Sequence, residues 1–161
     1  MSYRNQIYVC FGGDEDMNHY RTLQMWDANK KIDFNFNNAH NLTNIRVFEE
    51  ENIKRNLRER MNNTKMMIVL VGEKTRNLYK YVRWEIELAL EKDIPIIVAN
   101  LNGKNGIDNN LCPPILKGKV IVHVPFRQKA IIYALDNWYQ SYASSKASNK
   151  SDFFWECLNN I

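Results

Sequence analysis

The chain has 161 residues, 45% of them hydrophobic and 25% charged, and a formal net charge of +4. That length holds one well-buried domain and is too short for two ordinary ones. The apolar runs are far shorter than the ~20 residues of a bilayer-spanning helix, and the basic residues are interleaved with acidic ones instead of forming a nucleic-acid footprint.

Other classes are excluded as directly. Met1 to Gln6 has no secretory apolar region, so a cytoplasmic location is expected. Three cysteines, Cys10, Cys112 and Cys157, are odd in number and widely spaced, which is not a disulfide framework.

In chain order, residues 7–11 (IYVCF) read as a short strand ending in the turn-forming acidic loop Gly12-Gly13-Asp14-Glu15-Asp16. Residues 17–31 carry Tyr20, Leu23 and Trp26 at helical spacing. Residues 32–36 alternate apolar and polar, predicting a half-buried second strand, and 37–47 form a long polar loop. Glu49, Glu50 and Glu51 open a helix whose stripe is Ile53, Leu57 and Met61, with acidic residues at the positive end of its dipole.

Residues 66–71 (MMIVLV) and 94–101 (IPIIVANL) are apolar throughout, the pattern of parallel strands buried on both faces. Between them, residues 79–92 form a crossover helix. A loop over 102–114, a fifth strand at 119–124 and a last helix at 128–142 follow. A Ser/Lys/Asn linker at 144–151 and an aromatic terminal piece at 152–161 close the chain.

The organisation expected is one α/β domain over 1–143 plus the linker and tail at 144–161. It is a doubly wound, three-layer α/β/α arrangement with strands and helices alternating. The five-stranded parallel sheet is flavodoxin-like, ordered 2-1-3-4-5. Its ligand crevice then lies outside the carboxyl ends of strands one and three, where strand order reverses.

The crossover helix carries the most informative side chains. Val82, Ile86 and Ala89 form its apolar stripe, with Glu87 on the solvated side beside Arg83. Glu85 sits at the edge of that stripe. Periodicity leaves two readings open: an interface-edge carboxylate in an ion pair, or a carboxylate facing the crevice. Trp84 projects towards the polar side, either as a partner contact or as a cover for a neighbouring loop.

Elsewhere the motifs mostly exclude. GxGxxG and GxxxxGK[ST] are absent. Gly12-Gly13 is a plain turn or a close approach to a ligand. The acidic loop matches a phospho-receiver pocket only in part, since no Asp ends the third strand. His19, His40 and His123 are scattered, so no metal site is expected. Cys10, inside a strand, reads as packing and not as a nucleophile.

Four segments together resemble a known family. They are Tyr8-Val-Cys-Phe11, Asp33-Phe-Asn-Phe36, Ile68-Val-Leu-Val-Gly-Glu-Lys-Thr75 and Val82-Arg-Trp-Glu-Ile-Glu-Leu-Ala-Leu90. They are similar to the prokaryotic TIR-like domains, above all the stand-alone TIR proteins of the Thoeris anti-phage defence system. The chain departs from the pattern where Cys10 replaces the usual Ser and Gly12-Gly13 replace bulkier residues.

The resemblance implies an enzyme of the NAD+ glycohydrolase or ADP-ribosyl cyclase type, with Glu85 as the catalytic carboxylate. NAD+ is then substrate, and no cofactor or metal is called for. Phe11, Gly12, Gly13, Asp14, Asn37, Asn38, His40 and Trp84 are the substrate-binding candidates. The implied product is a cyclic ADP-ribose-type signal that reaches a separate effector. The alternative is a non-catalytic TIR module that acts by self-assembly.

Overall fold

A computed structural model of the chain describes residues 7–12, 17–28, 50–73, 75 and 80–160. The described elements are β1 (Ile7–Cys10), α1 (Met17–Ala28), α2 (Glu50–Asn62), β2 (Met66–Val71), α3 (Lys80–Glu91), β3 (Ile96–Asn100), β4 (Ile121–Pro125) and α4 (Gln128–Ala147). The strands form a parallel sheet of four in the order β1-β2-β3-β4. The expected second strand at 32–36 lies outside the described residues.

The largely apolar strand sequences follow from this topology. Each strand is buried along its whole length, because both faces of the sheet are covered, by helices and, beside β4, by the buried segment after β3. On one face Ile7, Val9, Phe11, Ile68, Leu70 and Val122 pack with Tyr20 and Leu23 of α1 and Ile131, Leu135 and Trp138 of α4. On the other, Tyr8, Cys10, Met67, Val69 and Val98 pack with Leu57 and Met61 of α2 and Val82, Ile86 and Ala89 of α3. The result is three layers, α/β/α.

Two expectations about local structure are corrected. Strict alternation of strand and helix fails between β3 and β4, where the connection contains only a 3-10 turn, Pro114–Leu116. Cys112 and Leu116 are buried there and cover the sheet, and the loop read from the residues at 102–114 agrees with this. The predicted polar linker also begins inside a helix, since α4 continues to Ala147. Beyond residue 142 the sequence is Ser-rich, but a tertiary contact holds the extra turn. Tyr142 Oη donates to Asp93 Oδ1 at 2.7 Å, and the Lys146 ammonium pairs with the same carboxylate. Those two hydrogen bonds hold the Asp93 carboxyl below its usual range.

The terminal piece folds back on the domain. Phe153 N–H donates to Ile121 O and His123 N–H donates to Phe153 O, both at 2.8 Å, extending the sheet beyond β4 by one parallel bridge. Phe153 and Trp155 lie against Trp138 at ring distances of 5.7 and 6.1 Å, and Leu158 is fully buried. Gly106, at φ +97°, lies under this tail, and a Cβ there would meet the Phe154 ring at 3.7 Å.

His123 fixes the start of the tail. Its ring is fully buried, with Nε2 at 3.3 Å from Asp152 Oδ1, and both Asp152 carboxylate oxygens accept from Gly118 N–H. Burial holds the imidazole below its ordinary value of 6.5, against the opposing pull of the Asp152 carboxylate. The native state therefore binds fewer protons than the unfolded chain below about pH 6.5. The stability this neutral ring confers is complete above that pH and is lost as pH falls from there towards the lowered native value. Calorimetric unfolding between pH 8 and pH 5 is expected to show a steeper loss of Tm in the wild type than in His123→Gln. Parallel curves would contradict it.

Candidate active site

The carboxyl ends of the strands define the rim of the sheet. The register pairs Cys10 with Val69, and Val71 with Asn100, so β2 runs two residues past the end of β1. Beyond β2 the chain closes a tight turn. Gly72 N–H donates to Thr75 Oγ1 at 2.7 Å, Thr75 N–H donates to Gly72 O at 3.3 Å, and the Thr75 hydroxyl reaches Leu70 O at 3.4 Å. Thr75 is buried as a result. The Gly-x-x-Thr of the sequence is thus the residue pattern of a turn at the rim, with the hydroxyl standing in for backbone partners.

Glu85 is placed at this rim by α3. Only 3% of it is exposed, so it lies well inside the apolar stripe and not at its edge, as periodicity suggested. Cys10, at the last position of β1, lies beside it. The Cys10 thiol donates to Val82 O at 4.0 Å, one turn before Glu85 on α3. Burial first, then the Glu85 charge and its hydrogen bond, push the Cys10 thiol well above its ordinary value. Such a thiol stays protonated and is a poor nucleophile, in accord with the packing role read from the sequence.

Glu87 contrasts with Glu85 as expected: it is exposed and pairs with Arg83 at 2.9 Å, one turn away on the helix. A surface pair of that kind contributes little to stability.

The remaining sequence candidates are distributed differently. Phe11 is buried on the opposite face of the sheet from Cys10 and stacks on Tyr20 at 4.5 Å. Gly12, half-buried, follows it at the rim. Trp84 is half-buried and turns towards α2, where the Lys54 ammonium lies 4.6 Å from its ring. There it lines a groove of about 130 Å³ with Leu57, Arg58 and Leu88. Among the described residues, the neighbour it covers is therefore helix α2. Gly13, Asp14, Asn37, Asn38 and His40 lie outside the described residues.

Residues 8–106, more than half of the chain, match the family described as Thoeris protein ThsB, TIR-like domain. The chain belongs to this family. The matched span of the TIR-like domain runs from β1 through β3 and includes Cys10, Thr75 and Glu85. Among solved structures, the chain has a partial likeness to FerB, a flavoenzyme NAD(P)H:(acceptor) oxidoreductase from Paracoccus denitrificans. The identity is 12% and the TM-score 0.43, over 62% of this chain and 62% of that one.

Sequence reasoning had missed two residues of the TIR-like rim. The contact of Cys10 with Glu85 joins positions 75 apart and leaves no periodic trace. Asn100, at the end of β3, is buried and donates to Lys104 O and Gly106 O at 2.9 and 2.8 Å, shaping the loop beyond the strand. Its position as the one polar residue of an apolar run was the available signal. Among the described residues, no group of three or more His, Cys, Asp or Glu could hold a metal, and no helix is long and apolar enough to cross a membrane.

Proposed function

We propose that this TIR-like domain consumes NAD+, cleaving the bond between nicotinamide and ribose with Glu85 as the catalytic carboxylate. The observation that carries the reading is a carboxylate buried at the carboxyl-end rim of a parallel sheet, on the helix that follows β2. That rim is where open α/β sheets bind ligands. Family membership adds to it, through the activity that the TIR resemblance implies.

The chemistry suits the residues. Departure of nicotinamide leaves positive charge shared between the ribosyl anomeric carbon and ring oxygen. A fixed carboxylate next to that charge lowers the barrier. It does so more strongly in a low-dielectric site than in water, because no solvent has to reorganise. Glu85 would stabilise the cation directly or hold a ribose hydroxyl that polarises towards it. Capture of the cation by water gives ADP-ribose. Capture by a nucleophile of the same molecule gives a cyclic product, and requires a pocket that keeps water away. We assign the cyclic outcome, a signal for a separate defence effector.

The test is the full chain incubated with NAD+, alone and with extract of phage-infected cells, with nicotinamide and the adenine-containing product followed by mass spectrometry. Stoichiometric nicotinamide and a product isomeric with dehydrated ADP-ribose are expected. Linear ADP-ribose as sole product overturns the cyclisation, and no nicotinamide under either condition overturns the enzyme.

A further inference from the structure

We propose that the terminal tail braces the candidate active site: through Asn105 it grips the loop beyond β3, and that loop holds the turn after β2 in place at the rim. Asn105 is then a positioning residue. The proposal rests on the reading of this rim as the catalytic one.

The brace is a continuous run of hydrogen bonds. Asn105 Nδ2 donates to Trp155 O and to Asn159 Oδ1, both at 2.8 Å. Those two residues cap the 3-10 turn Glu156–Leu158 at its two ends, so one amide holds the whole turn. Trp155 O can only accept, which fixes the way round the Asn105 amide lies. The next residue, Gly106, is buried beside Phe154, and its N–H donates to His123 O at 3.2 Å. Gly106 O accepts from Asn100 Nδ2 at 2.8 Å, and the same amide donates to Lys104 O at 2.9 Å. Asn100 ends β3 and is 1% exposed. Leu101, after it, donates its N–H to Val71 O at 2.9 Å, at the end of β2. Gly72 follows Val71, and its N–H is bound by the Thr75 hydroxyl.

The loop needs a hold from outside. Residues 101–108 contain no helix or strand, and Gly103 and Gly106 take φ of +82° and +97°. Glycine gives up the most conformational freedom on ordering, so this segment is costly to fix in one shape. Two of its other polar contacts are local: Asn102 Oδ1 accepts from Lys104 N–H, and Asn102 Nδ2 donates to Asp108 Oδ2. Asn105 instead reaches 50 positions along the chain, to a tail anchored by the fully buried Leu158. At a reacting centre a displacement of about 1 Å can cost about a hundredfold in rate, so a smaller loosening of the rim is still felt.

The experiment compares three variants of the full chain. Asn105→Ala removes both bonds to the tail, and Asn159→Ala removes one of them. Tyr142→Phe removes a bond of the same kind near the start of β3, away from the rim. Amide hydrogen exchange is followed residue by residue by NMR. In Asn105→Ala it is expected to speed up about fivefold or more at Leu101, Gly72 and Thr75, and to stay at the wild-type rate at Val9 of β1. Asn159→Ala is expected to show a smaller effect at the same amides, and Tyr142→Phe none. In NAD+ turnover, Asn105→Ala is expected to lower kcat about fivefold, in the range carried by residues that touch no ligand, with Tyr142→Phe at the wild-type rate.

A merely structural role would speed exchange across the whole sheet, Val9 included, and would overturn the proposal. Wild-type exchange at Leu101, Gly72 and Thr75 in Asn105→Ala would overturn it too, as would faster exchange there with unchanged turnover. If those amides exchange faster but the wild type releases no nicotinamide, the catalytic reading of the rim fails and the brace stands.

Discussion

Replacing Glu85 with Gln is expected to reduce nicotinamide release by roughly a hundred- to a thousandfold, about 3–4 kcal/mol of barrier, the usual range for one electrostatic group in a preorganised site. Gln has nearly the same shape and volume as Glu, without its charge. Packing among Val82, Ile86 and Cys10 is therefore expected to survive, with Tm within a few degrees of wild type. The substitution removes a negative charge and little else. Turnover equal to that of the wild type would take the carboxylate out of the mechanism. A collapse of Tm would show that the charge is structural.

The larger structural effect is expected from deleting residues 151–161. The deletion removes Leu158, fully buried, and the partly buried Phe153 and Trp155 that rest against Trp138. At about 1.5–3 kcal/mol for a fully buried large apolar side chain, and less for the partly buried pair, the loss is about 4–6 kcal/mol. For a chain of this size that corresponds to a fall in Tm of roughly 10–20 °C. The deletion also removes the partners of Ile121 O and His123 N–H, leaving β4 with open backbone groups on its outer side. An exposed edge of that kind associates. Light scattering of the truncated protein is therefore expected to give a mass equal to or above that of the full chain. A tail that drives assembly, as the adaptor reading supposes, would give the opposite result. Phe153 and Trp155 are spent on their own domain, which weighs against that reading, although Phe154 is half exposed.

The parts of this architecture that were legible in the sequence are those governed by short-range pattern. Runs such as Met66–Val71 can be satisfied only by burial on both faces, and the stripe Val82, Ile86, Ala89 can face only one way. Glu85 was legible as an anomaly against that stripe, but the depth of its burial was not. Depth is decided by packing against other elements, which the stripe on α3 does not record. The same holds wherever one long-range contact overrode local composition. The Ser-rich turn at 144–147 is helical because Lys146 and Tyr142 meet Asp93, more than 45 positions earlier. The tail is ordered because Phe153 finds the backbone of β4. Between β3 and β4, Pro113 and Pro114 and the polar loop before them signalled a break correctly, and it was the assumption of regular alternation that failed.

The most direct test of the central claim is a crystal structure of the full chain with an NAD+ analogue whose nicotinamide is joined to the ribosyl ring by an uncleavable carbon–carbon bond. The account predicts the nucleotide across the carboxyl ends of β1 and β2, with a Glu85 carboxylate oxygen about 3.5 Å from the ribosyl anomeric carbon or bonded to a ribose hydroxyl. An analogue seated elsewhere, in the groove between α2 and α3 for instance, with Glu85 still enclosed against Cys10 and out of its reach, would contradict it.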